Sequence, residues 1–176
     1  MGSDFYNHSI LPYAGIIIKI CRAYTNTPED FEDYYQEVCL QIWRSKDSFT
    51  SQSKWSTWIY KVSLNVCLTY LKKSKNTSQI FVSDFLPKEA IKDSQTAGGH
   101  PLHSTQEDGA VSDDDILQLY AAIRQLSETD RAIILLYLEE KSYLEISEII
   151  GTNSNNIGVR IKRIKQRLNK ILNIEG

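Results

Sequence analysis

The chain has 176 residues, of which 41% are hydrophobic and 24% charged, with a formal net charge of -2, so it is globular and can bury one core or two small ones. Its longest stretch without Asp, Glu, Lys or Arg, residues 5–18, is too short and too polar to span a bilayer. No secretory leader is recognisable at the N-terminus, and we therefore expect a cytoplasmic protein with no membrane insertion.

Charge is segregated along the chain although its sum is close to zero. Residues 28–37 contain five acids and no base, whereas residues 54–75 contain five lysines and no acid. Residues 158–170 contain six basic side chains and no acid. One such block can be an ordinary solvated face, but blocks of both signs in one small chain indicate several partners of different charge.

The cysteines and histidines do not form the patterns of disulfides, metal sites or enzymes. The three cysteines, Cys21, Cys39 and Cys67, lie far apart and lack the paired spacing of a zinc site. We expect them to be small, reduced and buried. The histidines offer no base near a nucleophile, since His100 and His103 lie in a segment without helical periodicity. We therefore expect no cofactor, no metal, no small-molecule substrate and no enzymatic activity.

Hydrophobic periodicity and stop signals before residue 74 predict three helices, over about residues 9–23, 27–45 and 55–73. The second helix has the clearest start. Thr27 can cap it, and Pro28 suits the first helical position. Glu29 and Asp30 follow in the first turn, where the helix dipole favours negative charge.

The second predicted helix has an apolar side and an opposite polar side. The apolar side is centred on Phe31, Tyr35, Val38 and Ile42. The polar side carries Asp33, Gln36, Glu37, Leu40, Gln41 and Arg44. A single exposed leucine is ordinary, but Leu40 is surrounded by acids and amides, which is typical of a protein-binding face.

The third predicted helix carries lysines and tryptophans on one side. One stripe consists of Lys54, Lys61, Asn65 and Lys72, with Trp55, Trp58, Val62 and Thr69 beside it. Aromatic rings interleaved with lysines suit a single nucleic-acid strand, because the bases can stack while the backbone is neutralised. Trp58 can equally belong to the core, and the periodicity does not separate the two interpretations.

Residues 74–114 are rich in Gly, Ser, Thr, Asp and Pro and have no sustained helical period, which predicts a flexible linker. No strand pattern competes with the helical one anywhere in the chain. The fold is therefore expected to be all-α, with two small helical domains over residues 1–73 and 115–176.

Four helices are predicted after the linker, and the last two form a helix-turn-helix. Ser142 and Glu145 have capping-box spacing at the start of the shorter helix, which ends at Gly151. The longer helix covers about residues 154–172, and its apolar stripe is Ile157, Ile161, Ile164 and Leu168. Its other faces carry Asn155, Asn156, Arg160, Lys162, Arg163 and Arg167. Such a helix fits the major groove, where Arg and Asn read base edges and Lys and Arg neutralise phosphates.

These motifs resemble the extracytoplasmic-function group of the sigma-70 family. Residues 33–44, DYYQEVCLQIWR, are similar to its region 2 signature D-x-x-Q-E-V-F-L-R-L-W-R. Residues 58–65, WIYKVSLN, are similar to the W-L-Y-R-I-A-R-N that follows it. Residues 126–168, with the capped helix and the arginines of the last helix, are similar to region 4. The resemblance covers most of the chain outside the predicted linker.

The resemblance implies a promoter-recognition subunit whose partners are core RNA polymerase, promoter DNA and an anti-sigma factor. It assigns polymerase binding to Asp33, Gln36, Glu37 and Arg44, and we add Leu40 from its place on the same helix face. It assigns contact with the minus-10 strand to Lys61 and Asn65, and we add the neighbouring aromatic residues Trp55 and Trp58. It assigns contact with minus-35 DNA to Asn156, Arg160 and Arg163, and we add Asn155, Lys162 and Arg167 from the polar faces of the same helix.

Two other classes of function compete with a sigma factor. A regulator that binds duplex DNA through the helix-turn-helix would use the N-terminal domain as a sensor or dimerisation module and would not need polymerase. It leaves the acidic second helix and the tryptophan-bearing third helix unexplained. An enzyme is the weaker alternative, because the sequence has no Gly-rich phosphate loop and no metal-spaced cluster.

Overall fold

A computed structural model of the chain describes residues 2–74 and 112–174. Over these two ranges the backbone consists of helices and connecting turns without a strand, which confirms the predicted all-α fold. The N-terminal range contains α1 (Gly2–Phe5), α2 (Ala14–Tyr24), α3 (Pro28–Ser45) and α4 (Trp55–Ser74). The C-terminal range contains α5 (Asp113–Arg124), α6 (Glu128–Leu138), α7 (Tyr143–Ile150) and α8 (Ser154–Ile174). None of these helices is both long and apolar enough to cross a membrane.

The first predicted helix, over residues 9–23, is not continuous. A π-helical turn over Tyr6–Ile10 and a 3-10 turn over Leu11–Tyr13 precede α2, which begins only at Ala14. Pro12 accounts for the difference, because a proline has no amide hydrogen and its ring collides with the preceding helical turn. The prediction of a regular helix from residue 9 is therefore wrong at its N-terminal end.

Capping interactions define several of the predicted helix ends. The Thr27 hydroxyl accepts a 3.1 Å hydrogen bond from the Asp30 amide at the start of α3. At the start of α7, the Glu145 amide donates to the Ser142 hydroxyl at 3.2 Å, and the Ser142 amide donates to the Glu145 carboxylate at 2.8 Å. Gly151 closes α7 in the left-handed conformation, at φ 78°, where a Cβ atom would be unfavourable.

Helix α5 begins earlier than the sequence predicted. Ser112 and Asp115 form a second capping box, so the helix starts at Asp113 instead of at the predicted domain boundary, residue 115. The helix dipole favours the aspartates in the first turn of α5. The composition of the segment had instead assigned Asp113 and Asp114 to the linker. The remainder of the predicted linker, residues 75–111, lies outside the described residues.

Helices α2, α3 and α4 pack around the core of the N-terminal domain. The fully buried side chains include Ile17, Ile20, Cys21, Val38, Ile42, Ile59 and Cys67. The three cysteines are free, with Cys21 and Cys67 buried and Cys39 half-buried. Burial raises the pKa of the Cys39 thiol to about 11 and that of Cys67 well above its ordinary value. Thiols in this state are poor nucleophiles, in keeping with their expected role as packing residues.

The C-terminal domain is built on the helix-turn-helix. The predicted apolar stripe of α8 is buried, as expected from its spacing, and consists of Ile157, Ile161, Ile164 and Leu168. This stripe packs α8 against α5, α6 and α7 and leaves the polar and basic faces of α8 directed outward.

The two domains pack against each other. Helix α2 contacts α5 and α6, and α4 contacts α7. The Arg124 guanidinium donates to the Arg22 carbonyl at 3.2 Å, across 102 positions of sequence, and Lys19 forms an ion pair with Glu139. The sequence did not predict this interface, because no local pattern connects residues so far apart along the chain.

Candidate protein and nucleic-acid interfaces

The polar side of α3 is exposed along its length. Its exposed residues include Asp33, Gln36, Leu40 and Arg44, while Glu37 and Gln41 are half-buried. Tyr34, Val38 and Ile42 anchor the opposite side in the core. The structure thus brings all five predicted polymerase-binding residues onto one helix face, with the 39% exposed side chain of Leu40 among polar neighbours.

Glu37 also has a structural contact that the sequence did not indicate. Its carboxylate lies close enough to the hydroxyl group of Tyr70, in the last turns of α4, to act on the pKa of that group. Tyr70 packs edge-on against Tyr34 with ring centroids 5.2 Å apart, and the Lys73 ammonium lies 5.5 Å from the Tyr70 ring. Burial, and after it the negative charge of Glu37, raises the pKa of Tyr70. Glu37 therefore connects α3 to α4 besides contributing charge to the exposed face.

A groove of about 430 Å³ runs between α3 and α4. Gln41 and Ser45 line its α3 side, and Trp58, Asn65 and Thr69 line its α4 side. The groove joins the polar face of α3 to two of the residues predicted to contact a nucleic-acid strand. It is mixed in character, since it offers an aromatic ring together with amide and hydroxyl groups.

The start of α4 is an aromatic cluster. Trp55 and Trp58 are stacked with ring centroids 4.7 Å apart, and the Phe49 ring lies 4.8 Å from Trp55. The Trp55 indole donates a 2.7 Å hydrogen bond to the Ser9 carbonyl, which fixes its orientation. Both interpretations of Trp58 fit this geometry, because its ring packs in the cluster and also lines the groove. Phe49 is a member that sequence reasoning missed, since it precedes the helix and belongs to no periodic pattern.

Lys61 and Asn65 lie at the boundary between the domains, and Asn65 also lines the groove between α3 and α4. With Leu64 they form one wall of a small cavity whose other wall includes Ile149 and Ile150 of α7. Burial lowers the pKa of Lys61, whereas the negative charge of Glu148 acts in the opposite direction. The predicted strand-binding stripe is thus partly covered by the C-terminal domain, an arrangement that the helical periodicity of α4 alone does not reveal.

Helix α8 exposes to solvent most of the side chains that the sequence predicts to contact DNA. The exposed ones are Asn155, Asn156, Lys162, Arg163 and Arg167. Gly158 lets α8 pass close to the Tyr143 side chain at the start of α7, because an added Cβ atom would lie 3.2 Å from the Tyr143 ring. A larger residue there would require this exposed ring to shift.

Arg160 differs from the other predicted residues of α8. It is half-buried, and its Nε and Nη2 atoms donate to one carboxylate oxygen of Asp130 at 3.1 and 2.8 Å. The pair links α8 to the first turn of α6. The sequence showed Arg160 as a basic side chain on a polar face but gave no sign of this partner, which stands 30 positions earlier.

No group of His, Cys, Asp and Glu side chains suited to holding a metal ion occurs in residues 2–74 and 112–174.

Two family models match the chain, one in each half. A model described as "Sigma-70 region 2" matches residues 10–77, and one described as "Sigma-70, region 4" matches residues 116–168. The two matches lie in the N-terminal and C-terminal domains respectively.

Whole-chain relatives agree with these matches. The chain is 27% identical to the ECF RNA polymerase sigma factor SigG of Mycobacterium tuberculosis over 96% of its length, and covers 48% of that protein. It thus spans about half the length of this relative. It is 26% identical to the ECF RNA polymerase sigma factor SigW of Bacillus subtilis, with 91% of this chain and 84% of SigW covered.

A solved structure has the same fold. The sigma factor RpoE of Bartonella quintana, in complex with the anti-sigma factor NepR, superposes with a TM-score of 0.66 at 19% identity. The superposition covers 98% of this chain and 99% of RpoE, so the fold similarity extends over both domains.

Proposed function

The chain belongs to the sigma-70 family, in its extracytoplasmic-function group, and from this membership we propose that it binds core RNA polymerase and directs promoter recognition and transcription initiation. The observation that carries the proposal is the presence of both sigma regions in order, each with the kind of surface that its role requires. The chain acts as a regulatory subunit, and promoter DNA is its second partner.

Polymerase binding is assigned to the exposed face of α3. Its acids supply charge for a basic partner surface, while Leu40 supplies an apolar side chain at the centre of the contact. The residues assigned to this role are Asp33, Gln36, Glu37, Leu40 and Arg44. These residues share one face of α3, and the opposite face is buried in the core, which supports the assignment. Substitutions on the exposed face should therefore leave the core intact.

Contact with the unpaired minus-10 strand is assigned to the first half of α4. The residues assigned are Trp55, Trp58, Lys61 and Asn65. The groove beside Trp58 provides an aromatic surface for a base, and the Asn65 amide lies on the same groove. Trp55 acts mainly by supporting Trp58, because its own indole nitrogen already donates to the Ser9 carbonyl.

Recognition of minus-35 DNA is assigned to α8. Its exposed residues combine amide groups near the helix N-terminus with basic groups along its length, a combination that suits base edges and phosphates respectively. The residues assigned are Asn155, Asn156, Arg160, Lys162, Arg163 and Arg167. Arg160 would reach a base edge only by sharing its guanidinium with Asp130 or by releasing it.

Two further assignments follow from the same membership. A protein that works with core polymerase works in the cytoplasm, which is where we place this chain. An anti-sigma factor is the proposed inhibitory partner, because the solved relative RpoE is bound to one.

In vitro transcription tests the proposal directly. The full chain is added to purified core polymerase on a library of duplex promoters, and the transcripts are sequenced. A sigma factor should produce transcripts that start at a fixed distance from a shared sequence element, and core polymerase alone should not. Tight binding of the chain to duplex DNA without any polymerase-dependent transcript would instead favour an independent helix-turn-helix regulator.

A further inference from the structure

Val159 occupies the centre of the exposed face of α8. At about 100° of rotation per residue, its side chain points directly away from the buried stripe of the helix. It is 54% exposed. The exposed residues one turn before and one turn after it are Asn155, Asn156, Lys162 and Arg163. One apolar side chain therefore stands among amides and basic groups, in the middle of the surface that we assign to minus-35 DNA.

The two residues next to Val159 in the chain leave its side chain uncovered. Gly158 has no side chain, and the Tyr143 ring lies 3.2 Å from the place where its Cβ atom would be. Arg160 is paired with Asp130 of α6, to which its Nη2 atom donates at 2.8 Å. The branched methyl groups of Val159 therefore protrude from α8 without a neighbouring side chain over them.

Neither helix formation nor packing explains a valine at this position. A β-branched side chain loses rotamer freedom in a helix and has a lower helix propensity than alanine, lysine or glutamine. A side chain that is 54% exposed also gains little from burial. Among the described side chains of α8, over residues 154–172, it is the only apolar one exposed to this extent. Single exposed apolar residues are ordinary, so it is the central place of Val159 on this face that points to a ligand.

The major groove offers one apolar group to such a side chain. Base edges there carry hydrogen-bond donors and acceptors, and thymine adds its C5-methyl group. A valine side chain has no donor or acceptor, so it can pack against this methyl group but cannot pair with a polar base edge. It also neutralises no phosphate charge. The amide of Asn156, beside Val159, suits adenine, and the two side chains together match A·T pairs.

We propose that Val159 is a specificity-determining residue of α8, whose methyl groups pack against the C5-methyl group of one thymine in the minus-35 duplex. The inference rests on the proposed role of α8 at that element. It names a contact that gives sequence preference without a hydrogen bond. Removing one methyl group from water stabilises such a contact by an amount that corresponds to roughly fourfold in affinity.

Uracil in place of thymine tests the contact at the level of a single methyl group. Uracil keeps the base pair and its hydrogen-bonding edge and lacks only the C5-methyl group. Each thymine in the upstream element shared by the transcribed promoters is replaced in turn. Fluorescence anisotropy then measures the affinity of the full chain for each duplex.

Three variants accompany the unaltered protein. Val159→Ala shortens the side chain and raises helix propensity, so the helix should remain intact. Val159→Ile retains the branched methyl group. Leu117→Ala is the matched control, since Leu117 is 64% exposed on α5 and its replacement removes apolar surface outside α8. Circular dichroism checks that all four proteins have the same helix content.

In the unaltered protein, uracil at one position should weaken binding by about fourfold, and at the other positions by less than about 1.5-fold. Val159→Ala should weaken binding to the thymine duplex by a similar factor and remove the uracil penalty at that position. Val159→Ile and Leu117→Ala should retain the penalty.

Two results overturn the proposal. One is a uracil penalty that persists unchanged in Val159→Ala, because the penalty would then arise from the shape or stiffness of the duplex. The other is the absence of any thymine whose replacement selectively weakens binding.

Failure of the underlying function gives a different result. If the chain is not a sigma factor, core polymerase yields no promoter-specific transcript with the unaltered protein. Duplexes that the full chain selects from a random pool then replace the promoters, and the same uracil comparison decides whether Val159 contacts a thymine. A chain that selects no duplex at all also overturns the contact.

Discussion

The hydroxyl group of Tyr24 donates a 2.8 Å hydrogen bond to the backbone carbonyl oxygen of Glu128, which ties the end of α2 to the first turn of α6. Tyr24 is only 2% exposed. The Arg131 guanidinium lies 5.6 Å from its ring centroid and donates to the neighbouring Ala23 carbonyl at 3.5 Å. One buried tyrosine thus joins the two domains through both its hydroxyl group and its ring.

Tyr24→Phe should reduce the free energy of unfolding by about 1 kcal/mol, because the ring stays in place while its part-buried hydrogen bond to the Glu128 carbonyl is lost. Thermal unfolding followed by circular dichroism should show a melting temperature lower by about 2–4 °C. Tyr143→Phe is the matched control, because Tyr143 is 45% exposed. Equal melting temperatures for Tyr24→Phe and the control would contradict a stabilising role for this hydrogen bond.

The sequence predicted those parts of the fold that depend on neighbouring residues. Thr27 and Ser142 each cap a helix through a residue three positions away, so their signals are complete within one turn. The buried stripe of α8 likewise follows from spacing alone. Within residues 2–74 and 112–174, the prediction of a continuous helix was wrong near Pro12, where proline geometry outweighed the apolar pattern.

The interface between the domains could not be predicted in the same way. Leu64 counted as an ordinary apolar residue of α4, and only the folded chain shows that it lies against Ile149 and Ile150. The sequence did not predict the ion pair of Arg160 for the same reason, since Asp130 is on another helix. Contacts of this kind depend on how whole helices pack, and one sequence does not contain that information in a local pattern.

Charge reversal on α3 separates a sigma factor from an independent regulator. Asp33→Arg should lower the affinity for core polymerase by at least about tenfold, because like charges would then face each other across the contact. Asp33 is exposed and lies opposite the core, so helix content should not change. Affinity is measured by surface capture of core polymerase, with circular dichroism as the folding check and Asp114→Arg as the control.

Asp33 is a sharper test than Glu37, because Glu37 is half-buried and also acts on Tyr70 of α4. Polymerase affinity that survives Asp33→Arg with unchanged helix content would remove Asp33 from the contact and weaken the assignment of the α3 face.

The stability of the protein should fall at alkaline pH. Burial is the main reason that the pKa of Tyr34 rises from 10.0 to about 12. Since an unfolded tyrosine ionises near pH 10, the folded state favours the protonated hydroxyl group. This contribution is complete below about pH 10 and is lost as the pH rises to about 12.

Tyr34→Phe should make that decline shallower, while other buried tyrosines such as Tyr24 and Tyr60 preserve part of it. The phenylalanine ring keeps the edge-on contact with Tyr70. Urea unfolding at several alkaline pH values measures the slope of stability against pH. Identical slopes for the variant and the unaltered protein would exclude Tyr34 as a contributor.

The ion pair between Arg160 and Asp130 should stabilise the packing of α8 against α6. The two side chains are 38% and 22% exposed, so a double-mutant cycle with alanine should give a coupling energy of only about 0.5–1 kcal/mol. Asp130→Ala should reduce stability without weakening duplex binding, because it frees the Arg160 guanidinium.

Asn156→Ala provides the contrast, since Asn156 is exposed and should lose binding to the selected promoter duplex without losing stability. Asn156→Ala and Arg160→Ala should each weaken duplex binding by about 1–3 kcal/mol if the replaced side chain reads a base edge. Arg160→Ala with lower stability but normal duplex binding would show that Arg160 only connects α6 and α8.

Trp58 should matter more for opening the promoter than for finding it. Its ring stacks on Trp55 and lines the groove between α3 and α4, where an unpaired base can bind. Loss of one base stack costs about 1–3 kcal/mol, so Trp58→Ala should reduce transcription from a duplex promoter by about fivefold to a hundredfold. Trp58→Phe keeps an aromatic face and should retain most activity.

A promoter with a pre-melted bubble removes the need for opening, and Trp58→Ala should recover transcription on it. Trp55→Phe is the control for the cluster, because it keeps the stack and loses only the hydrogen bond to Ser9. Equal losses on duplex and bubble templates would mean that Trp58 supports the aromatic cluster at the start of α4 and plays no part in melting.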